Sequence, residues 1–301
     1  MKNKIISMIL SLILITGLLS GCGSNTTSGN TNSNTASNTS SNTQETQKSK
    51  YADGIYFAQA DDFDAQTGWK DVVTLEVKDG KIVSADWNGA NKNGGADKKT
   101  VSKEGKYGMK QIGKAQSEWH EQAQKAEAYL IEKQDPKAIT YKDAEGHTDA
   151  ISGVSIHVMS FFKLAEKALA NGPVQRGPYK DGTYHAEQAN FDPQTGWKET
   201  VDITVINGNI VAANWNGVNK AGGDDKKTQS AKGIYGMKEK GKAQSEWHEQ
   251  AQKVEAYLIE KQDPKAITYK DAEGHTDAIS GVSIHVMNFF KLAEQALSQA
   301  K

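Results

Sequence analysis

The sequence predicts an α+β fold: two tandem copies of an antiparallel sheet with packed helices, preceded by a signal peptide and a disordered tether. Three observations predict it. The first is an internal repeat with a constant offset of 128 residues. Asp53-Gly54-x-Tyr56 returns as Asp181-Gly182-x-Tyr184, Thr67-Gly68-Trp69-Lys70 as Thr195-Gly196-Trp197-Lys198, and Trp87-Asn88-Gly89 as Trp215-Asn216-Gly217. That period is far too long for a solenoid unit and long enough for a domain with its own core. The second is the order of patterns inside a copy, strands first and helices later, the α+β arrangement. The third is composition. The chain has 301 residues, 37% hydrophobic, with a formal net charge of −1. That suits about two domains and provides no basic field for nucleic acid.

Each element follows from local chemistry. Gly54 to Ala60 reads as a first strand. Val72-Val73-Thr74-Leu75-Glu76-Val77 is β-rich, Asp79-Gly80 is a hairpin signal, and Lys81 to Trp87 is the return strand. Asn88 to Gly105 is polar and contains glycine, so it reads as a loop, with Asp97-Lys98-Lys99 a solvated stretch. Ala115 to Lys133 has helical composition, with Ala123, Ala126, Tyr129 and Leu130 at spacings of three and four. Asp135-Pro136 stops it, because proline cannot continue a helix. Ile139-Thr140-Tyr141 suggests a short strand, and an apolar run from about Ser155 to Ala170 suggests a closing helix. From Gly113 to Met159 the copies differ at one position only, Ala126 becoming Val254. The boundaries expected are 50–171 for the first copy, a linker at 172–178, and 179–301 for the second.

The N-terminus reads as an export signal. Lys2 and Lys4 precede an apolar run from Ile5 to Leu19, too short to span a bilayer comfortably. Leu19-Ser20-Gly21-Cys22 resembles a bacterial lipobox, which implies cleavage after residue 21 and lipidation of Cys22. Two acyl chains on that residue suffice for stable anchoring to the outer face of the cell membrane. The stretch 22–49 is Ser/Thr/Asn-rich and cannot bury a core, so it reads as a tether through the cell wall. As a flexible coil it spans roughly 30 Å. Cys22 is the single cysteine, which rules out an internal disulfide and a Cys-ligated zinc site.

The chemistry concentrates in Asp149-Ala150-Ile151-Ser152-Gly153-Val154-Ser155, which returns as Asp277-Ala278-Ile279-Ser280-Gly281-Val282-Ser283. Set against the start of a helix, these hydroxyls and the glycine offer a phosphate site, where free N–H groups and the helix dipole favour negative charge. An N-cap needs one hydroxyl; here Asp149, Ser152 and Ser155 are spaced three apart. Asp149 is expected to fix the turn by accepting backbone N–H bonds.

The spacing resembles the Asp-x-x-Ser/Thr-Gly-Ala-Ser/Thr signature of the FMN-binding domain family, also found in the NqrC and RnfG subunits of redox pumps. Val154 and Val282 stand where the signature has Ala, and Ser155 and Ser283 where Thr is commoner. The resemblance implies two covalent FMN groups, each a phosphodiester on Ser155 or Ser283, attached by an ApbE-type flavin transferase. It implies Asp149, Ser152, Gly153, Asp277, Ser280 and Gly281 as the surrounding motif.

For ring walls the sequence offers Trp69, Trp87, Tyr107, Met109 and Trp119. Trp87 with Trp215, then Tyr107 with Tyr235 and Met109 with Met237, are the first choices, because they flank polar loops. Trp119 is expected to pack its helix on the sheet. Asn88 and Asn216 are candidates for the flavin's polar edge, with Asn91 and Lys92 behind them. His157 is expected near the phosphate or solvent. No His-x-x-x-His pair occurs, so no metal site is expected, and no Gly-x-Ser-x-Gly elbow marks a hydrolase.

Together, anchor, tether and two like domains resemble the surface flavolipoproteins of Gram-positive bacteria that act in extracellular electron transfer. The resemblance implies an electron carrier. Its electrons would come from a membrane NADH dehydrogenase through the quinone pool and leave to ferric iron or soluble flavins. The alternative reading is a binding lipoprotein or adhesin without flavin. The signal peptide suggests an added role as a peptide pheromone.

Overall fold

The computed structural model describes residues 50–301; the signal peptide, Cys22 and the tether fall outside the described residues. The fold is α+β, with two antiparallel three-stranded sheets, each carrying its own helices. In the first unit β1 (Gly54–Gln59), β2 (Trp69–Lys78) and β3 (Lys81–Asn91) lie side by side in chain order. The hairpin between β2 and β3 turns at Asp79 and Gly80, both at positive φ. That is the conformation Asp-Gly favours and the one whose twist matches the flanking strands. A bulge between Glu76 and Val77 follows.

One face of the sheet is covered by α2 (Trp119–Lys133) and α3 (Met159–Asn171), and a short α1 (Lys98–Lys103) sits beside β3. The core between them contains Tyr56, Val73, Leu75, Val77, Ile82, Trp87, Trp119, Leu130, Phe161 and Phe162. The second unit repeats this with β4 (Gly182–Glu187), β5 (Trp197–Ile206), β6 (Asn209–Asn219), α4 (Lys226–Ala231), α5 (Trp247–Lys261) and α6 (Met287–Leu297). Among the described residues no helix is long and apolar enough to cross a membrane.

Several elements differ from the sequence expectation. β3 runs on to Asn91, and Lys98–Lys103 is a helix rather than loop, because Asp97 caps it by accepting from the Thr100 N–H. α2 starts at Trp119, four residues later than expected. Glu121 reaches back to the Glu118 N–H at 2.7 Å, a fixed start. Gln134 closes α2 in the left-handed region, and Pro136–Ala138 forms a turn of 3-10 helix. Ile139-Thr140-Tyr141 forms no strand. α3 starts at Met159 rather than Ser155. The amides before it are already bonded elsewhere: Ser155 N and Ile156 N to Gln122, and Val158 N to the Gly146 carbonyl.

The two units meet. A third apolar cluster joins Val72 and Ala90 of the first sheet to Ile206, Val211 and Ala212 of the second, with Phe57 and Phe63 packed against it. The loop after β3 crosses onto the second sheet. Thr183 Oγ1 and Thr204 Oγ1 donate to the Gly95 carbonyl at 3.1 and 3.0 Å, and Asn214 Nδ2 to the Asn93 carbonyl at 2.8 Å. The 172–178 segment is held as well: Val174 N donates to Ile55 O at 2.7 Å and Gly177 N to Asn207 O at 3.1 Å.

Candidate functional site

Ser155 and Ser283 lie exposed on the surface, one turn before α3 and α6. The segment is pinned from α2. The buried side chain of Gln122 accepts the Ser155 N–H at 2.6 Å, the Ile156 N–H at 3.2 Å and the Ser155 hydroxyl at 3.3 Å. Its amide nitrogen donates to the Ser117 carbonyl at 3.2 Å. Gln250 holds Ser283 at 2.7 Å from its N–H and 3.3 Å from its hydroxyl. A buried amide with both ends engaged is a rigid support, so each hydroxyl is presented at a fixed place.

Gly153 sits at φ +70°, and a Cβ there would fall 2.5 Å from Lys125 Nζ, which donates to the Gly153 carbonyl at 3.2 Å. Lys253 does the same for Gly281 at 3.4 Å. A cation thus stands beside each motif. Asp149 does not fix the turn. It is exposed and pairs with Lys142 at 3.4 Å, and Asp277 with Lys270 at 3.3 Å. The turn is fixed by Thr148, whose hydroxyl donates to Thr140 O at 2.7 Å and accepts from Ala150 N at 3.0 Å. Ser152 and Ser280 are exposed at the turn.

Beside the first motif opens a cavity of about 990 Å³. Ile156, His157 and the first turn of α3, Met159 and Ser160, form one side. Trp69, Tyr107, Met109 and Trp119 form the aromatic side. The Trp69 and Tyr107 rings lie 6.1 Å apart and those of Tyr107 and Trp119 6.3 Å. Lys98 is buried among them, its ammonium 4.4 Å from the Trp119 ring centre and 3.5 Å from Asp71. A recess of about 320 Å³ in the second unit is lined by Ser283, Ile284, His285, Tyr235, Met237, Trp247, Lys226 and Glu199. There Lys226 lies 4.3 Å from the Trp247 ring and 3.0 Å from Glu199.

Tyr107 and Met109 line the first cavity, and Tyr235 and Met237 the second recess. The carboxylate of Glu118 holds that turn, accepting from Met109 N at 3.2 Å and Lys110 N at 3.1 Å. Trp87 is among the residues that line the first cavity, whereas Trp215 is not among those lining the second recess. The two indoles are 1% and 0% exposed and pack in the cores, Trp87 stacked on Phe161 at 5.2 Å. A strand end with an inward side chain buries an indole for the area it removes from water. The indole N–H groups of Trp87 and Trp215 are buried and have no hydrogen-bond partner among the described residues. Asn88 and Asn216 bond to the backbone of their own copy. The Asn88 oxygen accepts from Gly89 N at 2.9 Å and Lys99 N at 3.0 Å, so its polar group is spent on the start of α1; Asn216 does likewise.

The expected solvated lysines are in fact structural. Lys99 bridges Asp86 and Glu127, and Glu127 also accepts the Trp87 N–H at 2.7 Å. Burial pushes the Glu127 carboxyl up, and it does the same to Glu255 in the second unit. Lys70, at the cavity wall, is buried with no salt bridge among the described residues, over the Phe63 ring at 4.6 Å. Burial lowers its pKa to about 8, against the opposing pull of Asp62 and Asp61.

Sequence reasoning missed Gln122, Lys125, Lys98 and Lys70. Trp69, Tyr107, Met109 and Trp119 carried a signal, as large side chains repeated at the offset. It also missed a cluster at the cavity rim, where Asp143, Glu145 and His147 bring ligand-type atoms within 4.8 Å of one another, as do Glu273, His275 and His285.

No protein-family model matches the chain, and no curated protein matches it. Two solved structures are similar to part of it. A solution NMR structure of a protein from Clostridium thermocellum is 65% identical, covering 40% of this chain and 90% of that one, with a TM-score of 0.32. A crystal structure of a Clostridium perfringens protein is 30% identical, covering 40% of this chain and 88% of that one, also with a TM-score of 0.32.

Proposed function

We propose that this protein is an electron carrier with two covalently attached FMN groups, esterified to Ser155 and Ser283. One observation carries the reading: each serine hydroxyl is exposed and held by a buried glutamine, with Ser283 lining an aromatic-walled hollow in the second copy and Ile156 and His157, the residues that follow Ser155, lining the one in the first. The first hollow lies at the upper end of the size common for cofactor sites. Lys125 and the first turn of α3 offer positive potential for the phosphate. Trp69, Tyr107 and Trp119 offer faces for the ring. Lys98 supplies a fixed positive charge at the aromatic wall, which favours added negative charge on a bound ring.

Bound FMN accepts one or two electrons, so it links two-electron donors to one-electron acceptors. The chain's own task is to hold it, shield one face and set its charge environment. The donor in this reading is a membrane NADH dehydrogenase acting through quinone, and the acceptors are ferric iron or soluble flavins. An ApbE-type transferase attaches the cofactor, and Cys22 carries the lipid anchor.

The test is expression with and without the transferase, followed by intact mass and visible spectrum. The expected product is yellow and heavier by two FMN-phosphoryl units. Ser155→Ala and Ser283→Ala each remove one unit and together remove both. A colourless chain at its unmodified mass under both conditions sinks the reading and leaves the non-redox binding lipoprotein.

A further inference from the structure

We infer that each copy holds a first-row transition-metal dication at the cavity rim, on Glu145, His147 and His157 in the first and on Glu273, His275 and His285 in the second. The inference does not depend on the flavin. Four of the seven histidines of the chain sit in these two clusters. In each copy the two imidazoles are in contact, with ring centres 4.2 Å apart and planes 81° and 73° to one another. Two imidazoles held side by side can bind one cation between them.

The carboxylates complete the set. In the second copy Glu273 Oε2 lies 3.9 Å from Nε2 of His285, and ligand-type atoms of Glu273, His275 and His285 lie within 4.8 Å of one another; in the first, Glu145 stands likewise beside His147. Ligands about 2.1 Å from one ion stand about 3.4–3.6 Å apart in tetrahedral to trigonal geometry. A small rotation of these solvent-facing side chains closes the difference. The second acid of each cluster has another role. Asp143 accepts from Gly146 N and His147 N, both at 3.0 Å, and its second oxygen meets His147 Nδ1 at 2.6 Å. Asp271 meets His275 Nδ1 at 2.7 Å in the same way. A carboxylate on one imidazole nitrogen orients the ring and makes the other nitrogen a better ligand.

Two histidines and one carboxylate with open positions suit a dication such as Fe²⁺ or Co²⁺, and the oxygen-only chemistry of Mg²⁺ or Ca²⁺ poorly. In the first copy Glu145 and His157 also line the large cavity, so the ion would sit beside it.

The experiment titrates cobalt(II) chloride into the intact chain, with heat and visible absorption recorded together. Two equivalents are expected, with visible bands of nitrogen-ligated cobalt. His157→Asn removes one equivalent or weakens it at least tenfold; adding His285→Asn removes or weakens both. These histidines are exposed, so circular dichroism should not change. Glu145→Gln with Glu273→Gln tests the carboxylate in the same way. Unchanged binding in the His157→Asn/His285→Asn chain overturns the inference. So does displacement of cobalt by equal magnesium, or no saturation below the millimolar range.

Discussion

The two copies are nearly the same text where the candidate site lies and different where they touch each other. Gln122, Lys125 and the seven-residue motif recur unchanged as Gln250, Lys253 and Asp277 to Ser283. The sheets' outer faces do not. Lys78, Ser84 and Asp86 become Ile206, Ala212 and Asn214, while Val72 and Ala90 become Thr200 and Val218. The contact is head-to-tail: the far end of one sheet and its loop meet the hairpin end of the other. In such a heterologous contact the two copies present different surfaces, so each face can change by itself. Val211 is fully buried in the join, whereas its counterpart Val83 is 46% exposed, and Val218 is left 43% exposed at the other end. Asp86 serves as the partner of Lys99; at the join the same position must donate to the Asn93 carbonyl, which Asn214 does and an ionised Asp cannot.

The sharpest way to break this comparison is a charge at the join. Val211→Asp should cost about 3 kcal/mol or more, because it buries an unpaired carboxylate, while Val83→Asp should cost under about 0.5 kcal/mol. Equal shifts of the two variants in denaturant titrations would mean that the units do not pack as described.

A second contrast lies in Lys70 and Lys198. Lys198 pairs with Glu187 at 2.8 Å, but Gln59 stands in the corresponding place beside Lys70. With its pKa lowered from 10.5 to about 8, Lys70 binds its proton less tightly folded than unfolded. Stability should therefore rise as pH climbs from about 8 to 10.5. Lys70→Met should stabilise the chain at pH 7 by up to about 3 kcal/mol and lose that gain above pH 10.5. Lys198→Met should give no such gain. A flat difference between wild type and Lys70→Met across that pH range would refute the assignment.

Gly94 and Gly222 provide a third. Both have positive φ, but a Cβ on Gly94 would meet Asp202 Cβ at 2.6 Å, and one on Gly222 would meet nothing. Gly94→Ala should cost about 1–2 kcal/mol more than Gly222→Ala, measured by thermal unfolding. The smallest effect is expected from Asn214→Asp, which loses one donor at the join and should cost about 1 kcal/mol. Asp86→Asn, whose carboxylate is 43% exposed, should cost less. Reversal of that order would show that the join does not select the amide.

Much of the fold was legible. Asp79-Gly80, read as a hairpin, is one, because two adjacent positive φ values suit few other residue pairs. The apolar run ending at Ala170 forms a helix, but its start was misplaced because Gln122, far away in sequence, takes the amides that would have begun it. Trp87 was taken for a wall because polar residues follow it; its burial depends on α2 and α3 closing over the sheet. Lys98 looked solvated beside Asp97 and Lys99, and nothing local announces the three aromatic rings that surround it.

By itself the sequence determined the duplication, the strand-then-helix order of each copy and the paired serine motifs, because periodicity, turn chemistry and spacing act over a few residues. Tertiary structure alone decided which aromatics border the cavity, which lysines are buried and which sheet faces meet. Those outcomes depend on surfaces brought together from distant parts of the chain, where burial and hydrogen-bond satisfaction outweigh local preference.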